Sequence, residues 1–362
     1  KNNYFSKKYI TMKSKIIPIL FFLTLFLIVF TCSKSEENVP LTADTAQISV
    51  DKIVRKASLR NQEIPFAIID ESGVDVTDLA VFYVDGEVID GSSFFSSEIG
   101  AFEVYATYTQ DGVEITTNTE SFSVIIPKRK IVIEDYTGTW CGFCPRVAGA
   151  VEVLKEETDD VVIVAIHETA NSFPDPMHFP QVQFLKDAYG IEGFPAAKIN
   201  RSVNWADPHS EVEVTSIAGL DTNMAIALNS EMTDNELLVQ VNVVFADGSE
   251  PGDKLVVYLL EDGILNDQVN YYNGDNTSPY FNLGDPIPDF VHNEVLRISM
   301  TDVLGNTIPA TEALSEYITS FSVTIPSNYN VENLTIATMV VGENNMAKNA
   351  QHAHIDEDKS YE

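Results

Sequence analysis

Apolar and polar residues alternate along residues 45–127, the first long segment with a regular pattern. The period is two over 102–108 and again over 122–126, as in strands with one buried face. Asp85-Gly86 separates two apolar runs and predicts a tight hairpin turn, because both residues accept a positive φ. The segment has no helical pattern of useful length. We therefore predict a small β-sandwich of immunoglobulin type over 45–127.

The pattern changes between residues 128 and 220. Apolar runs over 130–135 and 161–166 are typical of buried strands. Residues 144–157 carry an apolar stripe at helical spacing, and 181–189 form a second helix candidate. The order strand, helix, strand, helix predicts an α/β domain over 128–220.

Period two returns after residue 220, beginning with the alternation over 239–245. Further strand candidates follow at 255–260, 291–300 and 334–341. We predict a second β-sandwich over 221–350 and a frayed polar tail over 351–362. The predicted fold class is multidomain α/β plus all-β, in which the central α/β domain is flanked by two immunoglobulin-like β-sandwich domains.

The first residues have the layout of an export signal. Lysines precede an apolar run of 15 residues, Ile16–Phe30, which is shorter than the roughly 20 residues that span a bilayer. Cys32 follows at once, and Val29-Phe30-Thr31-Cys32 resembles the lipobox of bacterial lipoproteins. We predict a signal peptide over 1–31, a lipid on Cys32 and a polar tether over 32–44. An ordinary signal peptide cleaved elsewhere is the alternative.

The formal net charge of −32 argues against several kinds of partner. Residues 1–31 hold five lysines and no acidic residue, so the exported chain is more negative still. Such a surface repels nucleic acid and anionic lipid headgroups. We expect no nucleic-acid partner, no cofactor, and membrane contact through the lipid anchor.

Two of the three cysteines, Cys141 and Cys144, lie between a predicted strand and a predicted helix. Free N–H groups and the dipole at a helix start favour a thiolate, and a thiolate attacks disulfide sulfurs. In this interpretation Cys141 attacks and Cys144 resolves the mixed disulfide. We expect Cys141 to be partly exposed and Cys144 to be covered.

The same pair has two other interpretations, a non-catalytic disulfide and half of a zinc site. Zinc needs two further ligands, and the exported chain offers only Cys32 and six scattered histidines. His352 and His354 lie near acidic residues, but such a terminus is more typical of a polar tail. We predict no metal.

Trp140-Cys141-Gly142-Phe143-Cys144 resembles the active-site motif of the thioredoxin superfamily. The resemblance implies that Asp135, on the preceding strand, is the buried carboxylate that assists proton transfer. Glu134 takes that place if the strand register shifts by one, and Asp135 then faces solvent. Gly193-Phe194-Pro195 resembles the cis-proline loop, which implies that Pro195 lies beside the cysteines and shapes the substrate groove.

A longer resemblance covers nearly the whole exported chain. Residues 134–145, the Gly-Phe-Pro loop and Val291-His292-Asn293-Glu294-Val295-Leu296-Arg297 are similar to the twenty-eight-kilodalton outer membrane protein family of the Bacteroidota. The resemblance implies an envelope lipoprotein of the outer membrane. Lys34-Ser35-Glu36-Glu37 resembles a short acidic surface-export signal, but any polar tether can supply one, so both the periplasmic and the surface side stay open.

Two functions from different classes follow. The first is thiol–disulfide exchange on proteins outside the cytoplasm, with protein thiols or disulfides of the envelope as partners. The second is a non-enzymatic surface lipoprotein, in which the disulfide is inert and the sandwiches bind a partner. The order of the motifs favours the first function, and the two flanking sandwiches favour the second.

Overall fold

The computed structural model describes residues 47–50, 56–170 and 172–362. The predicted signal peptide, Cys32 and the tether over 32–44 lie outside the described residues. Within the described ranges, no helix is long and apolar enough to cross a bilayer.

The N-terminal part consists of strands and one short 3-10 turn at Thr77–Leu79. The strands are β1 Gln47–Val50, β2 Ala57–Leu59, β3 Ile64–Ile69, β4 Ala80–Val84, β5 Glu87–Val88, β6 Ser93–Phe94, β7 Gly100–Gln110, β8 Val113–Thr116 and β9 Glu120–Ile125. They form two sheets, ordered β1-β3-β6 and β2-β9-β7-β4-β5, with β8 paired to β7. Asp85 and Gly86 have φ of 49° and 82° and join β4 to β5, so the predicted hairpin turn is confirmed.

The two N-terminal sheets share one core, which the alternating apolar positions supply. Phe66 of one sheet lies 5.8 Å from Phe82 and 5.5 Å from Phe122 of the other, between ring centroids. The described residues of this part, 47–50 and 56–127, therefore form two packed β-sheets.

The middle part alternates strands and helices as predicted. Its elements are β10 Ile131–Thr137, α1 Pro145–Glu157, β11 Val161–His167, α2 Val182–Tyr189, β12 Ala196–Ile199, β13 Val203–Asn204 and α3 Glu211–Thr215. β10 pairs parallel with β11 and antiparallel with β12. Ile131 and Ile133 face α1, whereas Val132 and Tyr136 face the opposite side of the sheet.

The C-terminal part supplies ten strands and a 3-10 turn at Val331–Asn333. The strands are β14 Met224–Thr233, β15 Glu236–Phe245, β16 Lys254–Glu261, β17 Ile264–Gln268, β18 Ile287–His292, β19 Val295–Ser299, β20 Asn306–Thr307, β21 Glu316–Thr324, β22 Leu334–Val341 and β23 Ala347–His354. β14, β15 and β21 form a separate sheet, which packs on β16 and β22.

The predicted boundary at residue 220 divides a single sheet. The observed strand order is β13-β12-β10-β11-β19-β16-β22-β23, because β19 pairs parallel with β11. The amide of Ala165 donates to the carbonyl of Glu294 at 2.8 Å. The period of the pattern reveals strands but not their partners, so it could not show that the C-terminal strands extend the α/β sheet.

A buried ion pair links the two halves of this sheet. Arg201 Nε lies 2.8 Å from Glu134 Oε1, both side chains are 0% exposed, and Arg201 Nη2 donates to the hydroxyl of Tyr258 on β16 at 2.6 Å. Tyr136 donates to the same glutamate at 2.8 Å. The charges are thus satisfied inside a core formed by both halves.

The predicted frayed tail over 351–362 is wrong. Most of β23 pairs with β22 up to His354, the amide of Lys359 donates to the carbonyl of Leu228 at 2.8 Å, and Tyr361 is buried. Lys130 Nζ lies 2.5 Å from Glu362 Oε2. The prediction of a frayed tail was based on polar composition, but these polar groups form hydrogen bonds and ion pairs within the fold.

Arg201→Leu should lower the free energy of unfolding by about 3–5 kcal/mol, because Glu134 would stay buried without its partner. Lys128→Met, which breaks the exposed Lys128–Asp221 pair, is the control and should cost less than about 1 kcal/mol. Urea unfolding measures both. Equal losses in the two variants would contradict the role of the buried pair, and Glu134→Leu combined with Arg201→Leu should recover part of the loss.

Candidate functional site

Cys141 and Cys144 form a disulfide in the turn between β10 and α1, with an S–S distance of 2.01 Å. The amide of Cys141 donates to the carbonyl of Gly138 at 2.9 Å, and the amide of Cys144 donates to Cys141 at 3.1 Å. Cys144 caps α1, and Pro145 begins it, which suits a position whose N–H has no helical partner. The disulfide therefore lies in a tightly turned loop at the start of the helix.

Both cysteines are buried, which differs from the expected partial exposure of Cys141. Cys141 is 5% exposed and Cys144 is 2% exposed. Residues 268–271, which begin at the last residue of β17, lie against the main chain of the loop that holds Cys141. This segment carries no periodic pattern and no motif, so it could not be found from the sequence.

Residues 268–271, called here the cover segment, are bonded to the disulfide loop through the main chain. The amide of Val269 donates to the carbonyl of Thr139 at 2.9 Å, and that of Tyr271 donates to Gly142 at 2.9 Å. The side-chain amide of Gln268 donates to the carbonyl of Cys141 at 3.0 Å. Three carbonyls of the loop thus have their partners in the C-terminal part of the chain.

A cavity of about 420 Å³ lies next to Cys144 and is lined by residues of β10, β11, α1, β17, β18 and the segment that joins β17 to β18. Its polar lining residues are Asp135, Thr137, Glu152, His167, Gln268, Tyr280, His292, Asn293 and Glu294, and Cys144 also lines it. The two sulfurs thus face different surroundings, since Cys144 lines the cavity and the cover segment bonds to the Cys141 carbonyl.

Asp135 projects into this cavity, and Glu134 does not. Asp135 lies on the α1 side of β10 and is 5% exposed, so the alternative in which it faces solvent is wrong. Glu134 points to the opposite face, where Arg201 binds it. Of the two acids, only Asp135 shares the cavity with Cys144.

Burial, together with the smaller effect of the Glu294 charge, raises the pKa of Asp135 to about 8. Its Oδ1 has no hydrogen-bond partner in the described part of the chain. Burial also raises the pKa of Glu294, although Lys155 at 2.5 Å opposes that rise. Asp135 is therefore able to hold a proton near neutral pH, beside the sulfur of Cys144.

Two histidines complete the cavity. His167 Nδ1 lies 3.0 Å from Asp175 Oδ2, and both side chains are buried. Burial lowers the pKa of His292 to about 4, and the neighbouring His167 adds to this effect. His292 Nε2 lacks a hydrogen-bond partner among the described atoms. His292 was noted from the sequence only as part of a family motif, and neither histidine was assigned to the site. No cluster suited to a metal ion occurs in the described residues.

The proline loop lies next to the tryptophan that precedes Cys141. The Phe194–Pro195 peptide is cis, as predicted. The rings of Trp140 and Phe194 stack at 5.8 Å and 16°, and Trp140 Nε1 donates to the carbonyl of Glu168 at 2.7 Å. A contact between Pro195 and either sulfur stays a prediction.

Comparison with known proteins gives two overlapping family matches. The family of outer membrane protein Omp28 matches residues 182–359, and the thioredoxin family matches residues 113–216. The chain belongs to the Omp28 family and contains a thioredoxin domain. In this Omp28 family member, the cover segment, His292 and Glu294 lie in the Omp28 match and beyond the thioredoxin match.

Two relatives illustrate the similarity. Protein disulfide-isomerase of Saccharomyces cerevisiae is 21% identical over 224 residues, which cover 58% of this chain and 40% of that protein. The chain thus spans about two fifths of that isomerase. The solved structure of HBP35 of Porphyromonas gingivalis is 18% identical, with a TM-score of 0.48, and the match covers 64% of this chain and 77% of that one.

Asp135→Asn should change how stability depends on pH. The folded protein keeps the proton on Asp135 up to about pH 8, whereas an unfolded chain releases it at about pH 3.9. Unfolding between these values releases a proton, so wild-type stability falls as pH rises. The stability advantage of the asparagine variant should therefore grow from about pH 5 to about pH 8.

Urea unfolding at the two pH values measures this advantage, with Asp159→Asn in an exposed loop as the control. An advantage of the Asp135 variant that does not change with pH would show that the carboxyl is already ionised in the folded protein.

Proposed function

We propose that Cys141 and Cys144 carry out thiol–disulfide exchange on proteins outside the cytoplasm. The observation that carries the proposal is the cavity shared by Cys144 and a carboxyl that holds its proton near neutral pH. A disulfide that is only structural needs no titratable carboxyl in a cavity behind it. The thioredoxin family match and the similarity to a protein disulfide-isomerase support the same chemistry.

The reaction begins when the Cys141 thiolate of the reduced protein attacks a client disulfide. A bond forms between Cys141 and one client sulfur, and the departing sulfur takes a proton from water. The ionised fraction of Asp135, which grows as the pH approaches about 8, then takes the proton of Cys144, and the Cys144 thiolate attacks Cys141 Sγ. The second client sulfur leaves and takes that proton, so the client gains two electrons and two protons while Cys141 and Cys144 become oxidised.

The same steps in reverse oxidise a client dithiol, and the relative reduction potentials set the direction. Pro195 is assigned to the substrate groove because its loop stacks on Trp140 through Phe194. His292 and Glu294 act on the reaction through Asp135, since both line its cavity and the charge of Glu294 contributes to the raised pKa of Asp135.

The Omp28 family match supports placement in the outer membrane or envelope. We further propose that a lipid on Cys32 anchors the chain there, on the periplasmic or the surface side. Its partners are then envelope proteins that carry thiols or disulfides.

The cover segment favours a second candidate, a non-enzymatic surface lipoprotein with an inert disulfide. Cys141 is 5% exposed, and a sulfur that clients never reach would be structural. The N-terminal strand order, with β2 parallel to β9, supports an immunoglobulin-like module that binds a partner. In this alternative the thioredoxin domain is a scaffold.

Trapping of mixed disulfides distinguishes the two functions. Cys144→Ser should accumulate covalent adducts between Cys141 and envelope proteins, because the resolving thiol is absent. Cys141→Ser is the matched control and should accumulate none. The adducts are detected by non-reducing electrophoresis after acid quenching, and no adducts with either variant would favour the inert disulfide.

A further inference from the structure

The cover segment is bonded to the disulfide loop through the main chain. The amides of Val269 and Tyr271, two residues apart, donate to the carbonyls of Thr139 and Gly142, each at 2.9 Å. The two acceptors are three residues apart in a turn, so these bonds attach the segment to the loop without forming a β-ladder. The segment therefore takes up the main-chain acceptors on one side of the disulfide.

Tyr271 is the residue of this segment that lies closest to Gly142, between the two cysteines. A Cβ placed on Gly142 would lie 2.4 Å from the Tyr271 ring, a distance that no real contact permits. The ring also packs edge-on against Phe143, at 5.1 Å between centroids. A glycine at position 142 is thus required for the tyrosine to lie flat on the loop.

Buried hydrogen bonds hold the cover segment in place. Asn270 is 1% exposed, and its side-chain amide donates to the carbonyls of Tyr280 at 3.0 Å and Gly284 at 2.9 Å. Its main-chain amide donates to Asp285 Oδ1 at 2.9 Å. These bonds anchor the segment from behind, so Tyr271 is held in place rather than resting on the surface by its ring alone.

We infer that Tyr271 and the cover segment determine which thiols and disulfides exchange with Cys141, and that they select cysteines in extended, unfolded protein segments. This inference rests on the proposed function and names its substrate class. The cover segment lies on one side of the disulfide loop. The side next to Trp140 and Phe194 stays open to solvent, since their stacked rings are partly exposed. A flexible segment can bend past the Tyr271 ring, which is 61% exposed, whereas the surface of a folded protein meets that ring first.

The experiment measures how fast three thiols reduce the Cys141–Cys144 disulfide of the purified protein. The thiols are dithiothreitol, an unstructured peptide with one cysteine, and a small folded thioredoxin. Each thiolate attacks Cys141 Sγ, Cys144 leaves as a thiolate and takes a proton, and a second thiol then releases Cys141 and carries away the new disulfide. The wild type should react faster with the peptide than with the folded protein.

Tyr271→Ala should raise the rate with the folded thioredoxin by about tenfold, because the folded partner no longer has to displace the ring. This factor corresponds to the energy of one edge-on aromatic contact and its packing. The rates with dithiothreitol and with the peptide should change by less than about threefold. Tyr271→Phe keeps the ring and should behave as the wild type. Tyr83→Ala removes a ring from the N-terminal sheet, where Tyr83 stacks on Tyr105, and controls for loss of a tyrosine elsewhere.

Gly142→Ala gives a second route to the same change, since its methyl group displaces the Tyr271 ring. It should shift the ratio of the folded-thiol rate to the peptide rate in the same direction as Tyr271→Ala. An unchanged ratio in both variants, or an equal rise for all three thiols, would overturn the inference. The rate assay uses defined thiols and tests only the inference, whereas client trapping tests the proposed function. If trapping succeeds and the rate ratio does not change, the inference fails and the proposed function stands.

Discussion

The pairing of β19 with β11 is the constraint on which the rest of the molecule depends. One hydrogen bond, from the amide of Ala165 to the carbonyl of Glu294, lies at the junction of the thioredoxin strands and the C-terminal strands. Glu294 has a positive φ of 51° and separates β18 from β19. The turn at this residue directs β18 and the cover segment toward the disulfide, while β19 continues the sheet.

This junction brings two different groups of C-terminal residues to the disulfide loop. On one side, the cavity places Cys144 with Asp135, Glu294 and His292, and burial favours the neutral forms of these groups. On the other side, the cover segment binds the carbonyl groups of the loop and lays Tyr271 on Gly142. In the proposed function, the thioredoxin motif supplies the reacting atoms, and residues of the Omp28 match would influence the acid–base surroundings and the approach of the client.

The elements that depend on local pattern could be predicted from the sequence. α1, β10 and β11 lie within two residues of their predicted bounds, and the two-residue period of β10 places Asp135 on the side of Cys144. Non-local pairing could not be predicted, because period two describes a strand without identifying its neighbour. The cover segment has neither period nor motif, and its effect depends on a contact between residues 142 and 271 that are distant in sequence.

The reduction potential of the Cys141–Cys144 pair tests the central claim most directly. The protein would be equilibrated in graded glutathione and dithiothreitol buffers, and its free thiols would be alkylated and counted by mass spectrometry. A reversible exchange site should show one two-electron transition between about −270 and −120 mV, the range of known disulfide oxidoreductases. A pair that stays oxidised until below about −300 mV would behave as a structural disulfide and would contradict the account.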